Sequence, residues 1–529
     1  MHYVQCNRCV SERRVCDGYL DGPDAPSRRE LAKAVRNLQV LGPASRALSR
    51  SPASSSHPAA SRAVSPHDAT HFDMFRRLTG PWTASLFPSD FWRYTALQLA
   101  HDEPAIWHAA VAVGMLHQRE RSSAAEHHSL AALGRDAELH YNKAMRLARE
   151  MTSAPRLVAL CMLLVAAANM LNHWAQAQTH LLSGLKITAA DTSEDPTLKD
   201  LRESLVRLDL QSMTFSESSC PYPYAQSADA FSTDSFLATL SFHQDTTYAQ
   251  LSSELFGMNR VLFLLEDASI MDEGRHGPWL NKFEMFTRVL TRWELKVADF
   301  EVKLPQQLDH FVSRLALRLH HAMLRLMIQA VGPGPETKFD AMIGVFEYMV
   351  RLTATLLREI AHSASPSFEH GQSTFSGVIL SLEPGVIVPL WVVIHNCRHH
   401  GLRHAALNLL RNANRIEGMW KSSQAAKVLE AVVAVEEENI QGPGFAVYQP
   451  VLFDSSHPML PFDRWQSLHR SLNSSLSWEN VPHIPEAARV KFILARADHE
   501  RGVAVLNLMM SSGGDPSVPL PVKEVVVNV

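Results

Sequence analysis

The stretch F-W-R-Y-T-A-L-Q-L-A-H-D-E-P-A-I-W-H-A-A-V-A-V-G-M-L-H, Phe91 to His117, decides the fold. In its second half, Ile106, Ala109, Ala110, Val113 and then Leu116 with His117 return at the helical period and fall on one apolar face. Phe91 to His101 reads as a helix of its own. Between the two, His101-Asp102-Glu103-Pro104 is a stop and a restart. Proline has no N–H to lose in a first helical turn, and acids beside it favour the positive end of the helix dipole.

The same period recurs outward from this pair. Residues 137–149 predict another helix, and Pro155 to Asn172 with Trp174 to Ala190 predict an antiparallel pair turning at Asn172-His173. Further helices are predicted at about 246–270, 284–303, 306–331, 338–363, 376–400, 402–413 and 422–440. No fixed repeat connects them, which argues against a solenoid of regular units. Gly442 to Pro485, rich in Pro, Ser and His, reads as irregular. Residues 490–497 and 503–508 predict a β-hairpin closing the domain, and the last fifteen residues read as a loose tail.

Toward the N-terminus, 18 of the 24 residues 43–66 are Ser, Ala or Pro. Such a segment buries too little apolar surface to offset its ordering entropy and is expected to be disordered. It holds the dipeptides Ser51-Pro52 and Ser65-Pro66, a common acceptor pattern for phosphate. Before it, Leu31, Val35, Leu38 and Leu41 keep helical spacing over only two heptads, too few to establish a coiled coil. The expected architecture is mainly α. Residues 71–510 form a large irregular helical bundle with a small C-terminal β-hairpin, 1–20 a short N-terminal module, 21–70 a largely disordered linker and 511–529 a tail.

With 46% hydrophobic and 20% charged residues, the chain has ordinary globular composition. Its charge is uneven: residues 1–65 hold ten Lys/Arg against five Asp/Glu, leaving 40 against 49 in the remainder. A basic arm on an acidic body suits a terminal contact with nucleic acid. The longest apolar run, Leu157 to Leu171, is fifteen residues and includes Asn169, too short to span a bilayer. Cys161, Cys220 and Cys397 are scattered singly and read as buried apolar thiols in a reducing compartment.

The other three cysteines are clustered. Cys6, Cys9 and Cys16 stand in C-N-R-C-V-S-E-R-R-V-C-D-G-Y at the spacing C-x2-C-x6-C. A C-x2-C knuckle brings two thiolates to one zinc from a single turn, and a short helix returns the third. Three thiolates do not close a tetrahedral structural site. His2, four residues before Cys6, lacks the usual spacing of mixed His/Cys sites.

This motif, closing on Cys16-Asp17-Gly18-Tyr19, resembles the second half of the fungal zinc binuclear (Zn2Cys6) cluster, in which six cysteines hold two zinc ions. The resemblance implies Cys6 as a bridging thiolate and Cys9 and Cys16 as terminal ligands. The family's first half, with its strongly basic helix, has no counterpart, and the expectation is that it is lost before Met1. Phe91 to His117 resembles the opening of the fungal-specific transcription factor regulatory domain. In order along the chain, so do Tyr141-Asn142-Lys143-Ala144, His180 to Gly184, and Leu208-Asp209-Leu210-Gln211. Cys397-Arg398 with Arg403, Ala406, Leu409 and Leu410, then Glu417-Gly418-Met419-Trp420, complete the set.

The resemblance implies a nuclear, zinc-dependent, sequence-specific regulator of RNA polymerase II transcription. It would bind double-stranded DNA, as a homodimer or heterodimer, through cluster lysines and arginines. Here Arg8, Arg13 and Arg14 are the candidates for phosphate contact. The competing expectation is a protein without DNA binding that modulates a full-length zinc-cluster partner.

Enzyme chemistry finds little support. His395 and His399 stand at i, i+4 without a zincin glutamate or a third acidic ligand nearby, and His127-His128 and His320-His321 are adjacent pairs that face apart on a helix. There is no phosphate loop and no nucleophile elbow. Trp82, Trp92, Trp107, Trp174, Trp391 and Trp420 lie mostly on apolar helix faces and read as core. No catalytic residue is expected.

Overall fold

The structure, a computed structural model, describes residues 65–122, 127–191, 195–215, 220–230, 236–237, 240, 246–271, 278–303, 310–330, 334–364, 378–438, 447–454, 462, 476, 478, 481–498, 501–513 and 518–528. These are mainly helical, with a small antiparallel sheet near the C-terminus, as the periodicity predicts. The expected disorder of the Ser/Ala/Pro tract falls outside the described residues except at its end. There Ser65 caps α1 (Pro66–Met74), its side chain accepting from the Asp68 N–H at 3.0 Å, with Pro66 in the first turn. The Ser-Pro dipeptide is thus a helix start.

Apolar side chains divide into two cores. The first is built from α1, α2 (Ala96–Asp102, preceded by a π-helical turn Phe91–Thr95), α3 (Pro104–Arg121), α4 (His127–Leu147), α5 (Ala154–Met170) and α6 (Trp174–Ala190). The restart at Pro104 is where the sequence places it. The α5–α6 turn follows the glycine-type helix stop with asparagine in its place. Asn172 takes φ 61° and donates to the Asn169 carbonyl, and His173 donates to the Ala168 carbonyl.

A second core gathers α9 (Tyr248–Met271), α10 (Pro278–Lys303), α11 (Phe311–Ala330), α12 (Ile343–Ala364), α13 (Ile387–Asn396), α14 (His400–Asn412) and α15 (Ser422–Glu436). Between the cores runs α7 (Pro196–Thr214), capped by Asp195. Its Leu201, Leu205 and Leu208 enter the first core, and Val206 and Leu210 the second. The short α8 (Tyr224–Ala230) lies between α6 and α9.

Three expectations need correcting. The helix predicted over 376–400 is interrupted: β1 (Ile379–Ser381) precedes α13, with Pro384-Gly385 breaking the helical run. β1 pairs in parallel with β2 (Arg415–Glu417), which turns through Gly418 (φ 59°) to β3 (Trp420–Lys421). Next, the predicted hairpin exists as β4 (Val490–Asp498) and β5 (Val503–Met510), but residues 522–528 are not a loose tail. They form β6 (Val522–Asn528), antiparallel to β5 from Val503↔Asn528 to Met509↔Val522, with Val525 and Val527 packed on the second core. Last, of the three lone cysteines only Cys397 is fully buried; Cys161 and Cys220 are partly buried, and none is in a disulfide. Burial pushes the Cys161 and Cys397 thiols up to about 12.

Candidate functional site

Cys6, Cys9, Cys16, Arg8, Arg13 and Arg14 lie outside the described residues, so the candidate site within the helical body rests on buried charge. Along the seam where α7 meets the β1–α13 turn, the Arg207 guanidinium pairs with Glu383 at 3.1 Å. Trp92 Nε1 donates to the same carboxylate at 2.9 Å, tying the first core to the seam. Burial raises the Glu383 carboxyl above the usual range, and Arg207 opposes it. Two residues along α7 from Arg207, Asp209 binds Arg260, while the Tyr222 hydroxyl donates to Asp209 at 2.6 Å.

A second arrangement closes the α13 start. Glu417 reaches back from β2 so that Oε1 accepts from Val386 N–H and Oε2 from Ile387 N–H, both at 2.9 Å, and Arg415 Nε donates to Oε1 at 2.8 Å. A carboxylate here satisfies orphan donors and sits at the positive dipole end. Gly385 and Gly418 permit the close approach: a methyl at Gly385 would overlap Glu417, and one at Gly418 would overlap the Gln211 side chain. Arg415 Nη1 and Nη2 and both amide atoms of Gln211 are buried without a hydrogen-bond partner.

In the third arrangement, Glu436 ends α15 between two arginines. Arg398 Nη2 stands 3.0 Å from Oε1 and Arg403 Nη2 2.6 Å from Oε2, while Val490 N–H donates to Oε1 at 2.6 Å. Burial pushes this carboxyl up, but Arg403 and Arg398 outweigh it and hold it at about 2. The cluster fastens α13, α14 and α15 to β4.

The segments that carry the sequence resemblance occupy these positions. Asp209 and Gln211 come from Leu208 to Gln211, Arg398 and Arg403 from the 397–410 segment, and Glu417 and Gly418 from Glu417 to Trp420. Trp420 Nε1 donates to Thr214 Oγ1 at 3.3 Å, and the Tyr141 hydroxyl meets His180 Nε2 at 2.7 Å, joining two more of the segments.

His320 and His321 face apart, as their adjacency requires, and His395 and His399 separate for another reason. His395 lies in the last turn of α13, whereas His399 stands beyond the break at Cys397 and accepts from Leu402 N–H as the cap of α14; they do not share a helix. Burial beside Arg398 keeps His395 neutral down to about 3. His321 Nε2 meets Glu294 at 2.6 Å, while His320 packs against Phe87 and Phe256. The side chains of His127 and His128 lie outside the described residues. Trp92, Trp107 and Trp420 are buried, and Trp82, Trp174 and Trp391 partly so. One cluster escaped the sequence reading: His400 and His404, at i, i+4 on α14, converge on Glu437 beyond α15. Only the histidine spacing is visible locally.

The family model of the fungal specific transcription factor domain matches residues 71–324. The match spans the first core, the α7 wall and the second core into α11. No curated protein and no solved structure matches the chain. No helix among the described residues is long and apolar enough to cross a membrane.

Proposed function

We propose that the chain regulates RNA polymerase II transcription in the nucleus, with a zinc-binding N-terminal element ahead of a helical regulatory body. The match of residues 71–324 to the fungal specific transcription factor domain carries this reading. Cys6, Cys9 and Cys16, at the spacing of one cluster half, support it. As a donor set, Cys6, Cys9 and Cys16 suit one zinc with one position open to a further ligand. Arg8, Arg13 and Arg14 would supply phosphate contacts to double-stranded DNA, and dimerisation would add a second half-site.

The run Val10-Ser11-Glu12-Arg13-Arg14-Val15 after Cys9, too weakly basic for a recognition helix, favours a second reading, in which the chain does not bind DNA and instead modulates a full-length zinc-cluster partner as a heterodimer. One experiment separates the two. The zinc-loaded chain is titrated onto random-sequence duplex pools at two salt concentrations, with selection and sequencing of what is retained. Enrichment of a GC-containing half-site, lost in Cys9→Ser, supports the DNA-binding reading. Salt-sensitive retention without sequence enrichment rejects it and leaves the modulator, which must then co-purify with a zinc-cluster protein.

A further inference from the structure

We propose that His400, His404 and Glu437 form a binding site for one divalent transition-metal ion of the zinc class, separate from the N-terminal cysteines. His400 Nδ1 and His404 Nε2 each stand 3.1 Å from the same oxygen, Glu437 Oε2. One ligand atom from each residue lies within 4.8 Å of the other two. Ligand atoms bound at ~2.0–2.1 Å to a tetrahedral zinc are themselves ~3.3 Å apart, so the two N···O edges already match coordination. Two imidazole nitrogens and a carboxylate are a donor set for zinc, cobalt or nickel rather than for calcium or magnesium, which take oxygen.

The surroundings suit a metal. The three side chains are 18%, 27% and 13% exposed, open enough for an ion and a water in the fourth position. The nearest cation, Arg403, is 3.8 Å from the other Glu437 oxygen, but its charge is matched by Glu436 at 2.6 Å. Glu437 follows the last residue of α15, where carbonyl ends favour a cation; His400 opens α14, whose dipole opposes it, and the two effects offset. The i, i+4 spacing holds both imidazoles on one helix face without rearrangement.

A bound ion would clip the start of α14 to the end of α15, one residue from the Glu436 cluster that anchors β4. The site does not depend on the transcriptional reading. The chelator-stripped full chain is titrated with cobalt(II) and followed by absorption. Cysteine sulfur gives near-ultraviolet charge-transfer bands; a site of two imidazoles and one carboxylate gives only visible ligand-field bands. The wild type should bind one equivalent free of sulfur bands, and that equivalent should be lost in H400N/H404N and weakened in Glu437→Gln, with the sulfur bands kept. Circular dichroism checks that the variants are folded; if the double variant is not, Glu437→Gln and the zinc-induced rise in the wild-type unfolding midpoint decide. A sulfur-free equivalent that survives in the variants, or no such equivalent in the wild type, overturns the proposal.

Discussion

Glu417 shows how much one side chain can organise: it caps a helix formed 30 residues earlier in the chain and compensates Arg415, which is 1% exposed. Removing one member of a buried pair leaves an uncompensated charge, whereas replacing both with neutral groups of similar volume removes the cost along with the gain. Glu417→Ala should therefore lower unfolding stability by ~3–5 kcal/mol, and the double variant Arg415→Met with Glu417→Gln by clearly less. Urea denaturation of the three proteins checks this; equal losses would mean that Arg415 is not left unpaired. At this scale the sequence was read only in part. Trp92 and Glu417 stood in family-like strings, Arg207, Glu383 and Arg415 did not, and no physical role was visible, because Trp92 and Arg207 meet Glu383 across separations of 291 and 176 residues. Hydrophobic period reports a residue's face, not which distant charge shares it.

Elements were more legible where they are long. The seventeen- and eighteen-residue helices α3, α5 and α6 repeat the apolar face several times and so declare themselves, whereas the nineteen-residue α7 is not among the helices that the period predicts. β1 and β3 have three and two residues, too short for an alternating pattern, and β1 was absorbed into a predicted helix. β6 was missed because its outward positions leave Val522 and Val526 exposed, as in a tail, although Val525 and Val527 point to the core. A methyl at Gly114 would overlap the His71 carbonyl oxygen, so Gly114→Ala must push α1 off α3, and limited proteolysis should cut the variant near residues 66–74 faster than the wild type. Deleting residues 522–529 uncovers the β5 edge, and unpaired edges template association. Light scattering should show self-association of the shortened chain; a monomer of unchanged solubility would contradict the pairing of β6.

For the whole molecule, burial holds four histidines neutral: His117 and His395 down to about 3, and His180 and His320 to about 4. Each ionises near 6.5 once the chain unfolds. Below that pH the unfolded state binds more protons, so stability falls as the pH drops from about 6.5 toward 4, at up to ~1.4 kcal/mol per histidine per pH unit. The unfolding temperature should be clearly lower at pH 5 than at pH 7.5; a flat profile would contradict the neutral, buried state. The division into two cores sharing α7 was not foreseen, since single-sequence period shows that a face is apolar but not which core receives it. At the same coarse level, the order of segments pointed to the fungal-specific regulatory domain, and residues 71–324 match that domain, whereas the cysteine spacing lies outside the described residues. The most direct test of the regulatory claim is acute, inducible depletion of the chain in living cells, followed within minutes by sequencing of nascent transcripts. The account predicts prompt change in a discrete set of RNA polymerase II transcripts; an unchanged nascent profile, with the chain verifiably gone, would contradict it.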